Sequence, residues 1–503
     1  MDSIFAALSS TLTPISLVWI AAGVLLGYVV GVIPGLGKGT AVAVAIPLTF
    51  YIPPVPAIAF LIGIAKGSTA GSAVSAILLN APGEPSSAPT ALDGYPLARQ
   101  GKAKKALKMG LFASVIGDLV STVVLIGLAQ PLASYALAIG PIELFSILLF
   151  SLTFIAGLSG SSLTRGLIAG LFGLLVATVG MEIETATARF TFGYLELLDG
   201  LTIVPVAIGM LATSEMMIQM GNRRSIDAQV DLFSIASSRD DNVVLAKEWK
   251  ECFPAILRGT AIGTVVGILP GLGSSVASFF SYGAAKRAAK DPSRFGKGAL
   301  EGVAAAESAD NAVVPSSLVP LFAIGIPGSV IAAILIGAFV VHGITPGPLM
   351  FTQQADMIYS IYASMIIASV MLLFIGYFGQ HIFSQVVNVP MHYVVPIVIF
   401  FCSVGAYLQG GGIFGVSVML IFGIIGFFAR KLDFSFVTFL IGFVVGPSFE
   451  LSLRQSVALT RHNPATIFDH PIALVFFAIT VFTVWRIAIG TKRNVVPDSL
   501  QSG

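Results

Sequence analysis

A chain of 503 residues in which 56% are hydrophobic and only 10% charged is not a soluble domain, where about 25% of residues carry charge. The net charge of +2 gives no sign of nucleic-acid binding, and two cysteines, Cys252 and Cys402, indicate neither a disulfide framework nor a metal site. The composition is that of an integral membrane protein in a lipid bilayer.

The N-terminus, Met1-Asp2-Ser3-Ile4-Phe5, lacks the positive region of a secretory signal, so the first apolar run is expected to be a retained helix. Runs able to span, alone or with flanking residues, lie at 15–33, 110–129, 144–158, 166–180, 201–220, 358–379, 394–408, 413–429 and 472–485. Residues 221–253 turn polar, from Arg223 and Arg224 to Lys250 and Glu251, and read as a solvated cytoplasmic linker between membrane halves 1–220 and 254–503.

One string occurs in both halves. Gly31-Val32-Ile33-Pro34-Gly35-Leu36-Gly37 returns 236 positions later as Gly267 to Gly273, with Pro270-Gly271-Leu272-Gly273 at its end. Proline removes a backbone donor and glycine admits conformations closed to other residues, so a helix must stop or unwind there. A second pair of breaks, Pro82-Gly83 and Pro327-Gly328, is offset by 245, and the nine extra residues fit a longer loop around Asp291 and Lys297. Paired breaks in two halves are a pointer to the substrate site of a secondary transporter.

Basic residues orient the halves. After the first break, residues 51–56 carry no Lys or Arg, and the next loop holds Arg99, Lys102, Lys104, Lys105 and Lys108. In the second half the order reverses: Lys286, Arg287, Lys290, Arg294 and Lys297 come first, and residues 342–356 carry none. If basic loops are cytoplasmic, equivalent segments cross in opposite directions. Glu182, Glu184, Glu196 and Asp199 then fall outside, and Arg430, Lys431, Lys492 and Arg493 inside. The expected fold is an all-α polytopic membrane protein of ~12 to 14 transmembrane or re-entrant helices in two inverted-topology repeats, with broken helices at the Pro-Gly motifs. Short runs such as 40–50 suit re-entrant segments.

The breaks supply candidate ligands. In the first half these are Gly35, Gly37, Lys38, Ser68, Thr69, Asn80, Pro82, Gly83, Ser86 and Ser87. The counterparts are Gly271, Gly273, Ser274, Ser275, Asn311, Ser316, Ser317, Pro327, Gly328 and Ser329. Ser72 and Ser75, in mid-helix, suit close packing of helices. Helices that begin at these glycines would aim free amides and a positive dipole end at an anion, and a carboxylate suits that geometry.

Ionisable residues near apolar segments are few, and each is costly enough to count as a functional hypothesis. Lys66, Glu307 and Asp310 are candidates for ion coupling, with a sodium ion or a proton as the coupling ion and no cofactor. At the 245 offset Lys66 aligns with Asn311, which suggests that Lys66 and Asp310 face one cavity, as an ion pair or as binder and coupling site. Asp118, Glu143, Arg165 and Glu215 can be placed at membrane interfaces, where long side chains snorkel.

Enzyme-like strings fail inspection. Gly37-Lys38-Gly39-Thr40 lacks the other positions of a phosphate loop, and the five histidines show no metal-ligand spacing. No nucleophile and base pair is present, so the chain is not read as an enzyme.

Several motifs together resemble the large membrane subunit of tripartite tricarboxylate transporters. They are residues 31–37, Leu78-Leu79-Asn80-Ala81-Pro82-Gly83-Glu84, Leu92-Asp93-Gly94-Tyr95-Pro96, residues 295–309, Gly325-Ile326-Pro327-Gly328-Ser329, and His342-Gly343-Ile344-Thr345-Pro346-Gly347-Pro348-Leu349. The resemblance implies a multi-pass subunit of a bacterial inner membrane. It would import by ion-gradient-driven symport, together with a small four-helix membrane subunit and a periplasmic solute-binding protein that delivers a di- or tricarboxylate substrate such as citrate. The alternative is a passive organic-anion channel or pore. The chain departs from the family pattern at Lys38 and Lys66, where uncharged residues are usual, and at Asp310, where a second Asn is more familiar. An added fixed cation can pair with an extra carboxylate or replace a coupling cation.

Overall fold

The computed structural model describes residues 7, 9, 11–137, 139–158, 162–182, 185–221, 240–386, 389–460 and 464–493. Its helices are, in chain order, α1 Pro14–Val32, α2 Lys38–Ala45, α3 Pro54–Leu79, α4 Ala88–Leu97, α5 Ala103–Ala136, α6 Pro141–Leu158, α7 Leu163–Ala177 and α8 Ile203–Gly221. After the polar segment come α9 Ala246–Ile268, α10 Gly273–Ala288, α11 Leu300–Ser316, α12 Leu318–Ile324 and α13 Val330–Val341. The last five are α14 Ala355–Val386, α15 Met391–Gln409, α16 Ile413–Lys431, α17 Phe436–Leu459 and α18 Pro471–Arg493. Among the described residues nine helices are long and apolar enough to cross a membrane, and four shorter ones are also apolar. Large apolar side chains such as Phe400 and Ile421 stand exposed on these helices, which is the surface a bilayer requires.

The chain divides into two compact units, Met1–Leu137 with Thr202–Phe427, and Ala138–Leu201 with Phe428–Gly503. The first draws on both sides of the polar segment. Within it both glycine-proline strings end a helix as expected. α1 stops at Val32, Gly35 takes the left-handed φ of 87°, and α2 starts at Lys38; α9 stops at Ile268, Gly271 has φ 90°, and α10 starts at Gly273. α2 has eight residues, about 12 Å of helix, and cannot cross a bilayer core of about 30 Å.

Glycines fix how the broken helices dock. A Cβ on Gly23, Gly27 or Gly31 of α1 would fall 2.2 Å from the carbonyl oxygen of Phe60, Ile64 or Ser68 on α3. On α9 a Cβ on Gly259, Gly263 or Gly267 would fall 2.6, 2.3 or 3.0 Å from the carbonyl oxygen of Ala305, Ala309 or Val313 on α11, with the Ser308 and Ser316 hydroxyls nearer still at Gly259 and Gly267. Each glycine of the second set lies 236 positions after its equivalent, so one small-residue spacing packs both helix pairs backbone to backbone. Around these pairs, Ile20, Val24, Tyr28, Ile77, Leu107 and Leu372 join a buried apolar core.

Part of the polar stretch is helical. Residues 222–239 lie outside the described residues, but α9 already begins at Ala246, inside the segment expected to be solvated. Glu248 accepts the backbone N–H of Leu245 at 2.8 Å and caps the helix start, and Trp249 packs on Phe112 with ring centroids 5.3 Å apart.

In the second unit Gly173 of α7 meets the Phe439 carbonyl of α17, and a two-stranded turn pairs Gly180–Met181 with Ala188–Arg189. Arg189 holds Glu450 with two hydrogen bonds of 2.6 and 3.2 Å, and Arg454 reaches Glu182 at 3.4 Å. Glu143, in the first turn of α6, meets His470 Nδ1 at 2.6 Å. Arg165, near the start of α7, is exposed and 3.4 Å from Asp433. Glu184 lies outside the described residues.

Candidate functional site

The two glycine-proline tips meet at Lys38. This lysine is the first residue of α2, and its ammonium donates to Ser274 Oγ at 2.9 Å and to Asp310 Oδ1 at 2.9 Å, with Glu84 Oε2 at 3.2 Å. Ser274 lies 236 positions later, at the equivalent place on α10. Three ammonium protons thus face three oxygens, one from each of the second tip, α11 and the turn after α3. Lys38 is 12% exposed, Glu84 7% and Asp310 1%, so two carboxylates share one cation in a largely dry site. Asp310 Oδ2 is buried with no hydrogen-bond partner.

Glu84 also binds the α2 N-terminus. Its Oε1 accepts the backbone N–H of Lys38, where an external anion was expected. The anion at this helix start is the chain's own. Ser86 donates to Glu84 Oε2 at 3.4 Å and Ser87 to the Glu84 backbone carbonyl at 2.9 Å, so Ser86 braces the carboxylate and Ser87 the turn that carries it. Glu84 is missing from the sequence-derived candidates, although a carboxylate directly after Pro82-Gly83 in so apolar a chain is a visible signal.

One helical turn before Asp310, Glu307 forms a second cluster. Thr90 donates to its Oε1 at 2.6 Å and Ser114 to its Oε2 at 3.1 Å, while Asn311 donates to Ser114 at 2.9 Å and to the Glu307 carbonyl at 3.0 Å. Glu307 and Asn311 are fully buried. Thr90 and Ser114, on α4 and α5, lie in no motif that marks them in the sequence.

The pairing of Lys66 with Asp310 is not what the structure holds. Lys66 bonds Asp118 Oδ2 at 2.8 Å and is completely buried, whereas Asp310 belongs to Lys38. Adjacent helix residues point about 100° apart. Lys66 therefore matches Asn311, and both turn toward α5, while Asp310 turns toward the tips. Asp118 likewise does not snorkel, since it is buried beside Lys66. Nor does Glu215 lie free at an interface. It accepts from Gln219 at 2.7 Å, and both stand against Gly35 at the first tip.

The remaining candidates mostly shape the breaks. Gly83 approaches the Gly31 carbonyl so closely that a Cβ would lie 2.5 Å from it, and Gly328 accepts the N–H of Gly271 at 3.2 Å. Asn80 closes α3 in the left-handed conformation, φ 53°, and is exposed. Ser329 caps α13 through the Ala332 N–H and donates to Ser317 at 3.0 Å. Thr69, Ser72, Ser75 and Ser316 return their hydroxyl protons to their own helix carbonyls, as packing residues do. Ser68 Oγ is buried without a partner, Ser275 is half-buried, Gly37 directly precedes α2 and Gly273 is the first residue of α10.

Two quoted motifs lock together. Asp93 Oδ1 accepts the N–H groups of Gly296, Gly298 and Ala299 at 2.7 to 2.9 Å, and Oδ2 accepts Tyr282 at 2.9 Å.

Comparison with known proteins shows which family the chain is similar to. An uncharacterized 52.8 kDa protein of the TAR-I ttuC' 3' region of Agrobacterium vitis is 36% identical over 471 residues, which cover 93% of this chain and 92% of that protein. An uncharacterized protein of the TAR-II ttuC' 3' region of the same organism is 36% identical over 237 residues, 46% of this chain and 98% of its own length. No solved structure matches the chain. Residues 17–441 match the tripartite tricarboxylate transporter TctA family, and the chain belongs to that family.

Proposed function

We propose that this chain is the substrate-translocating subunit of an ion-gradient-driven, binding-protein-dependent importer of di- or tricarboxylates, and that Lys38 is its anion-binding centre. The observation that carries this reading is the meeting of both broken helix tips on one ammonium, Lys38 with Ser274, beside Asp310 and Glu84. Such a point can receive a carboxylate only if the internal anions give way. In the proposed cycle a sodium ion or a proton reaches Asp310, whose Oδ2 is buried and unpartnered, and Glu307 takes part through its place one turn away. The neutralised Asp310 loosens its hold on Lys38, and the arriving substrate carboxylate displaces Glu84 from the ammonium and from the α2 amide. Coupling then follows from competition between substrate and protein carboxylates for one cation.

The finer arrangement belongs to the same proposal. Membrane halves 1–220 and 254–503 form inverted repeats joined by a cytoplasmic segment, in a bacterial inner membrane. A periplasmic solute-binding protein delivers the substrate, and a small four-helix subunit completes the complex. Equal helix-pair packing by glycines 236 positions apart, and the reversed order of the basic loops, support the repeats. The test is uptake of labelled carboxylates into vesicles holding this chain with both partners, under separate sodium and proton gradients. Uptake that needs one gradient and is abolished by Lys38→Met agrees with the proposal. Uptake that needs neither gradient makes the chain a passive pore and removes the coupling role of Asp310.

A further inference from the structure

Away from the Lys38 site, α3, α5 and α14 enclose a second buried ammonium. Lys66 Nζ lies 2.8 Å from Asp118 Oδ2, 2.8 Å from the Met365 carbonyl oxygen, 2.8 Å from Ser369 Oγ and 3.3 Å from Thr122 Oγ1. All five residues are buried. Both hydroxyls have acceptors for their own protons, Thr122 the Asp118 backbone carbonyl at 2.8 Å and Ser369 two oxygens of the cage itself, the Met365 carbonyl at 2.8 Å and Asp118 Oδ2 at 2.5 Å, so their lone pairs can face the nitrogen. An ammonium has three protons to give, yet four oxygens surround it, and a further oxygen, Asp118 Oδ1, is buried with no partner. The cage holds more acceptor oxygens than a lysine can serve.

One carboxylate, two hydroxyls and a backbone carbonyl form the hard, all-oxygen donor set that suits an alkali cation, and a single negative charge suits a monovalent one. We propose that this cage is a monovalent-cation site in which Lys66 acts as a tethered cation. The site stays loaded without an ion from solution and binds three membrane helices together by charge. Removing the ammonium opens the site to a free alkali ion. This inference stands apart from the carboxylate-transport reading, since none of its residues contacts the Lys38 cluster.

The test is thermal unfolding of the purified full chain in detergent, followed with a thiol-reactive dye, because both cysteines are buried. Wild type, Lys66→Ala and the doubly neutral Lys66→Met/Asp118→Asn variant are compared in sodium, lithium, potassium and N-methyl-D-glucamine at equal ionic strength. Lys66→Ala should unfold earliest in N-methyl-D-glucamine and gain, saturably with one of the alkali ions, several degrees more than the wild type and the double variant, which share any response that arises at Asp310. An equal response in all three proteins overturns the proposal, as does a Lys66→Ala midpoint that ignores the cation. Failure of Lys66→Ala to fold in every cation overturns it too, because the cage then takes no free ion.

Discussion

Replacing Lys38 by methionine keeps the aliphatic stem and removes the one cation shared by Asp310 and Glu84. At 2.9 Å in an effective dielectric near 20, one such pair is worth about 6 kcal/mol of gross Coulomb attraction. Much of that is offset by the desolvation of the charges, and deleting one partner of a buried pair costs about 3–5 kcal/mol because the other is left uncompensated. Asp310 at 1% exposure and Glu84 at 7% are both left so. Lys38→Met should therefore lose about 3–5 kcal/mol of stability. Asp310→Asn added to it should restore part of that loss, giving a coupling energy of roughly 1–3 kcal/mol in a double-mutant cycle. Equilibrium unfolding in mixed detergent, read by exposure of Cys252 and Cys402 to a thiol dye, measures all four corners. Effects that add to within about 0.5 kcal/mol would refute the contact between ammonium and carboxylate. Asp93→Ala, which belongs to a different hydrogen-bond network, supplies the additive control.

The helix-pair packing predicts equal effects at equivalent glycines. Gly27→Ala and Gly263→Ala put a methyl group 2.2 and 2.3 Å from the carbonyl oxygens of Ile64 and Ala309, and each should cost about 1–3 kcal/mol in the same unfolding assay. Wild-type stability in either variant would show that the backbones do not touch. Asp93→Ala removes the acceptor of three backbone N–H groups and should cost about 3 kcal/mol or more, with part regained by Asp93→Asn. Hydrogen exchange at Gly296, Gly298 and Ala299 reports it directly, and unchanged protection in the alanine variant would remove Asp93 from that role.

Much of the fold is legible in the sequence because the bilayer leaves few choices. Apolar length marks the spans, and Pro34-Gly35 and Pro270-Gly271 stop helices wherever they occur, since the missing donor and the left-handed glycine are local properties. The glycine triplets at 23, 27, 31 and 259, 263, 267 are as legible, and their spacing alone announces a close helix face. Polarity misleads at residues 246–253. A charged stretch there is the amphipathic first part of α9, held by a cap and by Trp249 on Phe112.

The sequence by itself determined that this is a membrane protein with two pairs of broken helices, and through its motifs which family it resembles. Only the tertiary structure decided which charges meet. Lys38 lies 46 residues from Glu84 and 272 from Asp310, and Lys66 lies 52 from Asp118. No local rule links positions so far apart. Matching by repeat offset placed Lys66 beside Asp310, yet a shift of one residue on a helix swings a side chain by about 100°, enough to send one to α5 and the other to the tips. Ion pairing depends on that angle and on which helices pack together, and both are fixed only when the chain is folded.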